Sequence, residues 1–306
     1  MRPEATPPVP AEQQMLAARP KTGSWSLGLR IGSSVLFVPL LLMLARAGGI
    51  AWLALVAVQA TAGLIEFYGM MRAKGHAVVQ WLGFLALFAV LGLAYRPYTP
   101  HAAFLATAAL MLLLALALRH PERPGIVESL SVTVFGVLYV GWLSAHMVLL
   151  RELPWRAGLD YGDGMKIVLY AFLVTWSCDT GAYAVGRMFG RTRPWAAISP
   201  RKTLEGSAGG FAFAILGAWI GAKWFMHSAA GLPWLRTLDV IAIGALVGVC
   251  SQVGDLVESL LKRDSASGDS SDLIPGHGGV LDRFDSVYFG APIVYYYLKI
   301  VVFQIP

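Results

Sequence analysis

The sequence predicts an all-α integral membrane protein, a polytopic helical bundle of about nine transmembrane helices with a cytosolic N-terminus. Hydrophobic residues make up 57% of the 306-residue chain and charged residues only 14%, whereas soluble domains are about 25% charged. The mean hydropathy is +0.61. Apolar runs of about 20 residues, the length that crosses a bilayer core, recur along the whole chain. These observations exclude a soluble globule and place the chain in a lipid bilayer.

The predicted spans follow one another from residue 29 to residue 303. They are 29–46, 50–71, 77–95, 101–118, 126–150, 165–186, 207–227, 237–260 and 284–303. Residues 1–28 are rich in Pro, Ala and Gln, contain no apolar run, and are predicted to form a disordered cytosolic leader. The remainder divides into N-terminal transmembrane helices (29–150) and C-terminal transmembrane helices (151–306), and the C-terminal part carries the most unusual polar loops.

The distribution of positive charge predicts which helix ends face the cytosol. Sixteen of the 24 Lys and Arg residues fall before or at the start of the first span or in alternate loops on one side. Because cytoplasmic loops carry an excess of Lys and Arg, this asymmetry favours a cytosolic N-terminus and an outside C-terminus. Loops 187–206 and 261–283 then share the cytosolic face. The net charge of +6 follows from topology and does not indicate a nucleic-acid partner.

Carboxylates gather at the predicted cytosolic ends of the last two spans. Asp255 lies about 18 residues into the eighth span, ~27 Å along it, while Asp282 and Asp285 begin the ninth. A polar stripe marks the otherwise apolar eighth span: Ser251, Asp255, Glu258, Ser259 and Lys262. Clustered carboxylates repel one another unless a cation holds them, and their oxygens suit Mg²⁺. Alternatively, the acids complement a helix dipole while Lys262 and Arg263 reach lipid headgroups.

A further acidic residue, Asp179, lies inside the sixth span. An unpaired carboxylate within a span costs roughly 2.5 to 3.5 kcal/mol on insertion scales, so Asp179 requires a partner. It belongs either to the same polar site or to a salt bridge with an arginine such as Arg187, two turns further on. Glu66 and Glu128 raise the same question closer to cytosolic helix ends, where an interfacial position would also explain them.

The loop after the sixth span has the composition of a phosphate-binding loop. It holds five cations, Ser and Thr donors and several glycines, with Ser199, Arg201 and Lys202 in its second half. Such groups bind phosphates, but a cytosolic loop rich in Lys and Arg is also what topology alone requires. His277 stands between glycines that let backbone N–H groups approach an anion. Phosphate contact or loop positioning therefore suits His277 better than proton transfer.

Together these segments resemble the phosphatidate cytidylyltransferases, also called CDP-diglyceride synthetases. The C-terminal pattern of that family runs Ser-x-x-Lys-Arg, four residues, Lys-Asp-x-small, then Pro-x-His-Gly-Gly-x-x-Asp-Arg-x-Asp. The residues that match it in register are Ser259, Lys262, Arg263, Asp269, Ser271, Pro275, His277, Gly278, Gly279, Asp282, Arg283 and Asp285. The resemblance extends over residues 179–183 and 198–206. One position departs, because Gly268 stands where the family has lysine, and Lys202, Lys262 or Arg263 would have to compensate.

The resemblance implies a Mg²⁺-dependent reaction of phospholipid biosynthesis, in which CTP and phosphatidic acid give CDP-diacylglycerol and pyrophosphate. It implies Asp255 and Asp282 as metal ligands, with Asp285 and Asp179 next, and it leaves room for a second cation. The residues expected to contact substrate phosphates are Ser199, Arg201, Lys202, Lys262, Arg263, His277 and Arg283. The site would face the cytosol and the lipid of the inner (cytoplasmic) membrane, and a homodimer is consistent with the family.

Other functions fit the residues less well. A related cytidylyltransferase acting on a different lipid phosphate remains open. An ion-coupled transporter would account for Asp179 and Asp255, but it predicts carboxylates at mid-bilayer rather than at one face. A CDP-alcohol phosphatidyltransferase would carry an Asp-Gly-x-x-Ala-Arg motif, which is missing from the sequence.

Overall fold

The computed structural model describes residues 37–95, 111, 115, 125–227, 231, 233–265 and 279–305. Regular structure in these residues is helical, apart from an isolated bridge between His227 and Pro233. The helices are α1 (Phe37–Ala47), α2 (Gly49–Ala73), α3 (Gln80–Tyr95), α4 (Ile126–Ala157), α5 (Asp163–Phe189), α6 (Leu204–Phe225), α7 (Thr237–Asp264) and α8 (Leu281–Tyr296, continued by π-helical residues Tyr297–Val302). The prediction of an all-α protein is confirmed.

Five of these helices are long and apolar enough to cross a membrane, namely α2, α4, α5, α6 and α7. Helices α1 and α3 are apolar but shorter. The predicted leader 1–28, residues 29–36 of the first predicted span and the fourth span 101–118, except the helical Met111 and Ala115, lie outside the described residues. The polytopic membrane class is thus confirmed, while the count of nine spans and the cytosolic N-terminus stay predictions.

Helix α4 continues past its predicted end at residue 150 and reaches Ala157. The apolar run stops at Arg151, yet this side chain is fully buried. Its guanidinium donates to the carbonyls of Ala45 at 2.6 Å, Arg46 at 3.3 Å and Tyr161 at 3.0 Å. Two of these carbonyls belong to the last turn of α1, where a helix leaves its acceptors unpaired. Because backbone carbonyls accept hydrogen bonds from the buried guanidinium of Arg151, this charged residue does not end the helix.

Two helices contain π-helical segments. Residues Val137–Trp142 form one in the middle of α4, and Tyr297–Val302 form the other at the end of α8. The second follows Pro292, which lacks the N–H that a regular helix would use. A π-helical turn changes the direction of the side chains around it, and such turns are frequent at functional sites.

Helices α5 and α6 pack closely along a stripe of small residues. The buried residues of α6 are Gly206, Gly210, Ala214, Gly217, Ala218 and Gly221. A Cβ added at Gly210 would lie 2.9 Å from the carbonyl oxygen of Cys178 and 3.0 Å from Ala182 Cβ. Small residues let helix backbones approach each other in a membrane, where close van der Waals packing drives association. The close packing of α5 and α6 therefore fixes both ends of the loop 190–203 that joins the two helices.

The ends of several helices meet at one end of the bundle, which we call the site end. Helices α5 and α7 end there, and α6 and α8 begin there. Arg263, at the end of α7, donates a hydrogen bond to the carbonyl of Ile198 in the α5–α6 loop. Lys74, which follows α2, lies 2.5 Å from Asp264 of α7. The α5–α6 loop and the end of α7, which the charge distribution assigns to one face, thus lie together.

Candidate active site

Three carboxylates from α7 and α8 meet at the site end. Asp255 and Glu258 lie one turn apart on α7, and Asp285 lies near the start of α8. Each offers one oxygen atom, and these atoms lie within 4.8 Å of one another. The side chain of Glu258 is 6% exposed and Asp285 is 8% exposed, whereas the side chain of Asp255 is 40% exposed. The carboxylate cluster is therefore buried on one side and open to solvent at Asp255.

A glycine on α7 permits this convergence. A Cβ added at Gly254 would lie 2.5 Å from the carbonyl oxygen of Asp285 and 2.7 Å from the ring of Phe289. The two helix backbones are therefore too close for a side chain at this position. Since Gly254 directly precedes Asp255, the close approach sets the distance between the carboxylates of the two helices.

A lysine joins the carboxylate cluster to the first turn of α8. Lys262 Nζ lies 2.8 Å from Glu258 Oε1 and 2.5 Å from Asp282 Oδ1. The Lys262 and Asp282 side chains are each only 16% exposed. Asp282 also accepts a hydrogen bond from the backbone N–H of Gly279 at 3.3 Å. Lys262 thus connects Asp282 to Glu258 of the carboxylate cluster. The sequence predicted that Asp282 and Asp255 would bind the metal together.

The α5–α6 loop supplies a second lysine. Lys202 Nζ lies 2.8 Å from Asp255 Oδ2, and its side chain is 21% exposed. The next residue, Thr203, caps α6 by accepting a hydrogen bond from the N–H of Gly206 at 3.1 Å. A capping threonine fixes the direction in which the chain enters a helix. Lys202 is therefore placed by the start of α6, directly over the open side of the carboxylate cluster.

Further hydrogen bonds hold the same loop. The carboxylate of Glu205 accepts from the backbone N–H groups of Arg191 at 3.0 Å and Thr192 at 3.1 Å. The N–H of Leu204 donates to the carbonyl of Thr192 at 2.9 Å. These bonds tie the first half of the loop to the first turn of α6, while Arg263 ties Ile198 to α7. The loop therefore has a defined shape around Lys202.

Asp179 reaches the site through a serine. Ser286 Oγ donates to Asp179 Oδ1 at 3.0 Å, and the backbone N–H of Ser286 donates to the Asp285 carboxylate at 2.7 Å. Arg187, the alternative partner for Asp179, instead donates to the hydroxyl of Tyr183 at 2.8 Å. The charges of Asp179, Asp255 and Lys202 all act on Asp285. Asp179 therefore belongs to the edge of the carboxylate cluster.

Glu66 is buried against the start of α8. This residue of α2 is 3% exposed. Its carboxylate accepts hydrogen bonds from the backbone N–H groups of Val280 at 2.8 Å and Leu281 at 2.9 Å. A negative charge suits the start of a helix because the first N–H groups there have no partner within the helix. Glu128, by contrast, forms an exposed pair with His76.

The remaining predicted residues lie around the site or outside the described residues. Arg201 and Arg283 are exposed, and Ser199 is half-buried in the loop that carries Lys202. The side chain of Arg263 is engaged with the main chain of that loop. His277 falls within residues 266–278, which the structure does not describe. The assignments of these residues to substrate phosphates stay predictions.

Two residues of the site end, Glu258 and Glu66, were not among the predicted site residues. Glu258 appears in the polar stripe of the eighth span, but it was not expected in the site. Its spacing, three residues after Asp255 and four before Lys262, was the available signal. Glu66 carried no such signal because its role depends on the distant start of α8.

The fold and the site define a polytopic membrane protein with a cluster of carboxylates and two lysines at one end of its helical bundle. Acidic oxygens suit a hard divalent cation, and the lysines suit anions. Asp282 and Asp285 lie in the first two turns of α8, and Asp255 and Glu258 lie in the last third of α7. The chain belongs to the cytidylyltransferase family, whose family model matches residues 28–301.

Three similar proteins share one name. The chain is 34% identical to the phosphatidate cytidylyltransferase of Synechocystis sp. over 293 residues, 89% of this chain and 97% of that protein. It is 38% identical to that of Bacillus subtilis over 173 residues, 56% of this chain and 60% of that protein. It is also 38% identical to that of Staphylococcus haemolyticus over 170 residues, 54% of this chain and 63% of that protein.

Proposed function

We propose that this protein is a phosphatidate cytidylyltransferase. It transfers the cytidylyl group of CTP to phosphatidic acid and so forms CDP-diacylglycerol and pyrophosphate for phospholipid synthesis. The observation that carries the proposal is the meeting of Asp255, Glu258 and Asp285 with Lys202 and Lys262 at one end of the bundle. The names of the three similar proteins support it.

The reaction places few demands on proton transfer. An oxygen of the lipid phosphate forms a bond to the α-phosphorus of CTP, and the bond from that phosphorus to the bridging oxygen of the β-phosphate breaks. The second pKa of a phosphomonoester is about 6, so the lipid phosphate is largely ionised at neutral pH. No general base is then required. The protein has to align two anions and neutralise the charge that develops on the leaving pyrophosphate.

The carboxylate cluster fits a divalent cation. Oxygens bound to one Mg²⁺ at about 2.1 Å lie at most ~4.2 Å apart, so oxygens within 4.8 Å of one another need only a small adjustment. Four carboxylates, those of Asp255, Glu258, Asp282 and Asp285, stand against the two lysines. Asp255, Glu258 and Asp285 would hold Mg²⁺, which neutralises phosphate charge when it is bound. Asp282 is the further ligand expected from the sequence, and a second cation is consistent with the excess of acid.

The lysines then act on the substrates. Lys202 sits over the solvent-exposed side of the carboxylate cluster and is positioned to contact the phosphates of CTP that enter from water. Lys262 lies deeper, between Glu258 and Asp282, where it holds the two helices together and neutralises charge at the reacting phosphate. Arg201, Ser199, Arg263, His277 and Arg283 are the additional phosphate contacts we expect.

The position of the site explains how both substrates reach it. Phosphatidic acid and the product stay in the leaflet, whereas CTP and pyrophosphate are soluble. A site at a helix end can open sideways to lipid and outward to water. We place this end on the cytosolic face of the inner membrane, in agreement with the excess of Lys and Arg there. A homodimer is a further expectation, which light scattering of the purified protein in detergent would test.

A direct assay tests the proposed function. The purified protein should form CDP-lipid and pyrophosphate from CTP and phosphatidic acid only when a divalent cation is present, and EDTA should stop the reaction. Asp282→Ala should abolish product formation while the elution volume stays near wild type; a moderate fall in melting temperature is expected, because Lys262 loses one of its two carboxylate partners. Asp264→Ala is the matched control, because Asp264 lies on the same end of α7 but pairs with the exposed Lys74. Product only from another lipid phosphate would refute phosphatidic acid as the substrate.

A further inference from the structure

A buried tyrosine from the N-terminal half of the chain packs against α8, the helix that carries Asp285. Tyr139 belongs to the π-helical segment Val137–Trp142 of α4 and is 5% exposed. Its hydroxyl oxygen is buried and has no hydrogen-bond partner among the described residues. A buried hydroxyl without a partner is costly in a membrane protein interior. The Tyr139 hydroxyl is therefore available to a bound ligand.

Two observations place Tyr139 close to the carboxylates. Its ring meets that of Tyr288 at 6.1 Å, and Tyr288 lies one turn after Asp285 on α8. The carboxylates that act on the Tyr139 hydroxyl are those of Asp285, Glu258 and Asp255. These are the same three residues whose oxygens lie within 4.8 Å of one another. Tyr139 comes from α4, whereas the carboxylates come from α7 and α8. The hydroxyl and the carboxylates thus come from different parts of the chain.

Neighbouring rings hold Tyr139 in place. Phe135 stacks on it with ring centres 5.9 Å apart and an interplanar angle of 8°, and Tyr288 meets it edge to face at 6.1 Å. Phe67 lies 6.2 Å away. Ring packing of this kind fixes the ring orientation of a buried tyrosine. Because the ring is held on several sides, the hydroxyl cannot turn away to a better partner without repacking the core.

Other buried tyrosines in this region do have partners. Tyr68 donates to the carbonyl of Thr133 at 2.8 Å, and the hydroxyl of Tyr288 meets the amide of Gln59 at 3.3 Å. Tyr170 is also without a partner among the described residues, but it lies beside Gly221 near the other end of the bundle. Among the residues that the structure describes, only Tyr139 combines an unused hydroxyl with the charges of the carboxylate cluster. The combination, rather than the unused hydroxyl alone, carries the inference.

We propose that the Tyr139 hydroxyl is part of the cation site and donates a hydrogen bond to an oxygen atom in the coordination shell of the bound divalent ion. That oxygen belongs either to a bound water or to a phosphate of the nucleotide, and both accept from a phenol. The inference rests on the proposed function only where the acceptor is a nucleotide phosphate and not where it is a bound water. The π-helical segment has a purpose in this view, since it directs Tyr139 out of the regular helix pattern toward α7 and α8.

Binding of Mn²⁺, followed by electron paramagnetic resonance in detergent, tests the proposal without relying on catalysis. Tyr139→Phe keeps the ring packing and removes only the hydroxyl. It should weaken Mn²⁺ affinity about tenfold, the loss expected for one hydrogen bond to a charged group. Tyr170→Phe removes a hydroxyl of the same kind far from the carboxylates and should leave the affinity unchanged. Tyr139→Met, which has an adaptable apolar side chain, repeats the test if the Phe variant does not fold.

The same titration with CTP present separates the two acceptors. Weaker Mn²⁺ binding without nucleotide identifies a bound water, and weaker binding only with CTP, together with a raised KM for CTP, identifies a phosphate oxygen. Wild-type affinity under both conditions would overturn the proposal, as would a wild-type protein that does not bind Mn²⁺. A wild-type protein that binds Mn²⁺ through Tyr139 but forms no CDP-lipid would instead refute the proposed function alone.

Discussion

The buried carboxylate of Glu66 accepts a hydrogen bond of 2.9 Å from the backbone N–H of Leu281, the first residue of α8. Its other oxygen accepts from Val280 at 2.8 Å. The contact joins α2, in the N-terminal half, to the helix that carries Asp282 and Asp285. It fixes where α8 begins and so determines where Asp282 and Asp285 lie in the site.

Replacement of Glu66 should therefore damage the fold and the activity together. Glu66→Gln presents an amide N–H₂ to a backbone donor, and leaving a buried donor unpaired costs about 1 to 3 kcal/mol. We expect a lower melting temperature in detergent and a loss of product formation. Glu128→Gln is the control, because Glu128 forms an exposed pair with His76 and such pairs contribute about 0 to 1 kcal/mol. Equal effects of the two variants would contradict the capping role.

Lys262 should be needed for both stability and catalysis. Lys262→Met leaves the side chains of Glu258 and Asp282, which are 6% and 16% exposed, without their shared cation. Removing one partner of a buried ion pair costs about 3 to 5 kcal/mol. We expect a clear fall in melting temperature without divalent ions, with partial recovery when Mg²⁺ is added, because the ion replaces the lost positive charge. Activity should be lost at every Mg²⁺ concentration.

The pair Lys74–Asp264 provides the comparison for Lys262. Its side chains are 35% and 52% exposed, so Lys74→Met should change stability by about 1 kcal/mol or less and leave activity intact. A Lys262→Met protein that retains activity would show that this lysine is only structural.

Close packing of α5 on α6 should make Gly210 intolerant of even one methyl group. Gly210→Ala places a Cβ 2.9 Å from the carbonyl oxygen of Cys178, and overpacking of this kind costs about 1 to 3 kcal/mol. Gly92→Ala on α3 is the control, since a Cβ there meets no atom within 4 Å and alanine favours a helix by about 0.5 to 1 kcal/mol. Thermal unfolding of the two variants should therefore shift in opposite directions. A neutral Gly210→Ala would contradict the close approach.

Much of the fold was accessible from sequence because each element is determined by its own residues. Apolar runs predicted α2 and α5 to within a few residues, and the spacing from Asp255 to Lys262 predicted the polar face of α7. The end of α4 was predicted too early because Arg151 is buried and donates hydrogen bonds to carbonyls of α1. No local pattern reveals that partner.

The parts of the site that were missed depend on tertiary contacts. Glu66 caps a helix formed by residues more than two hundred positions later, and the sequence around it shows only an acidic residue in an apolar run. In the sequence, Tyr139 looks like any other aromatic residue of a transmembrane span. Its position against the carboxylates depends on the π-helical turn and on how α4 packs against α8. Contacts between distant segments decide both roles.

The identity of the metal ligands gives the sharpest test of the site. The sequence favours Asp255 and Asp282, whereas the geometry groups Asp255 with Glu258 and Asp285 and leaves Asp282 paired to Lys262. Glu258→Gln should weaken Mn²⁺ affinity about tenfold or more, as expected when the polar surroundings of a metal are changed. Asp282→Asn should reduce activity with a smaller effect on Mn²⁺ affinity, because Asp282 contributes no oxygen to the group of atoms that lie within 4.8 Å of one another. If Asp282→Asn weakens Mn²⁺ binding more than Glu258→Gln does, Asp282 is a ligand and Lys262 must move away when the ion binds.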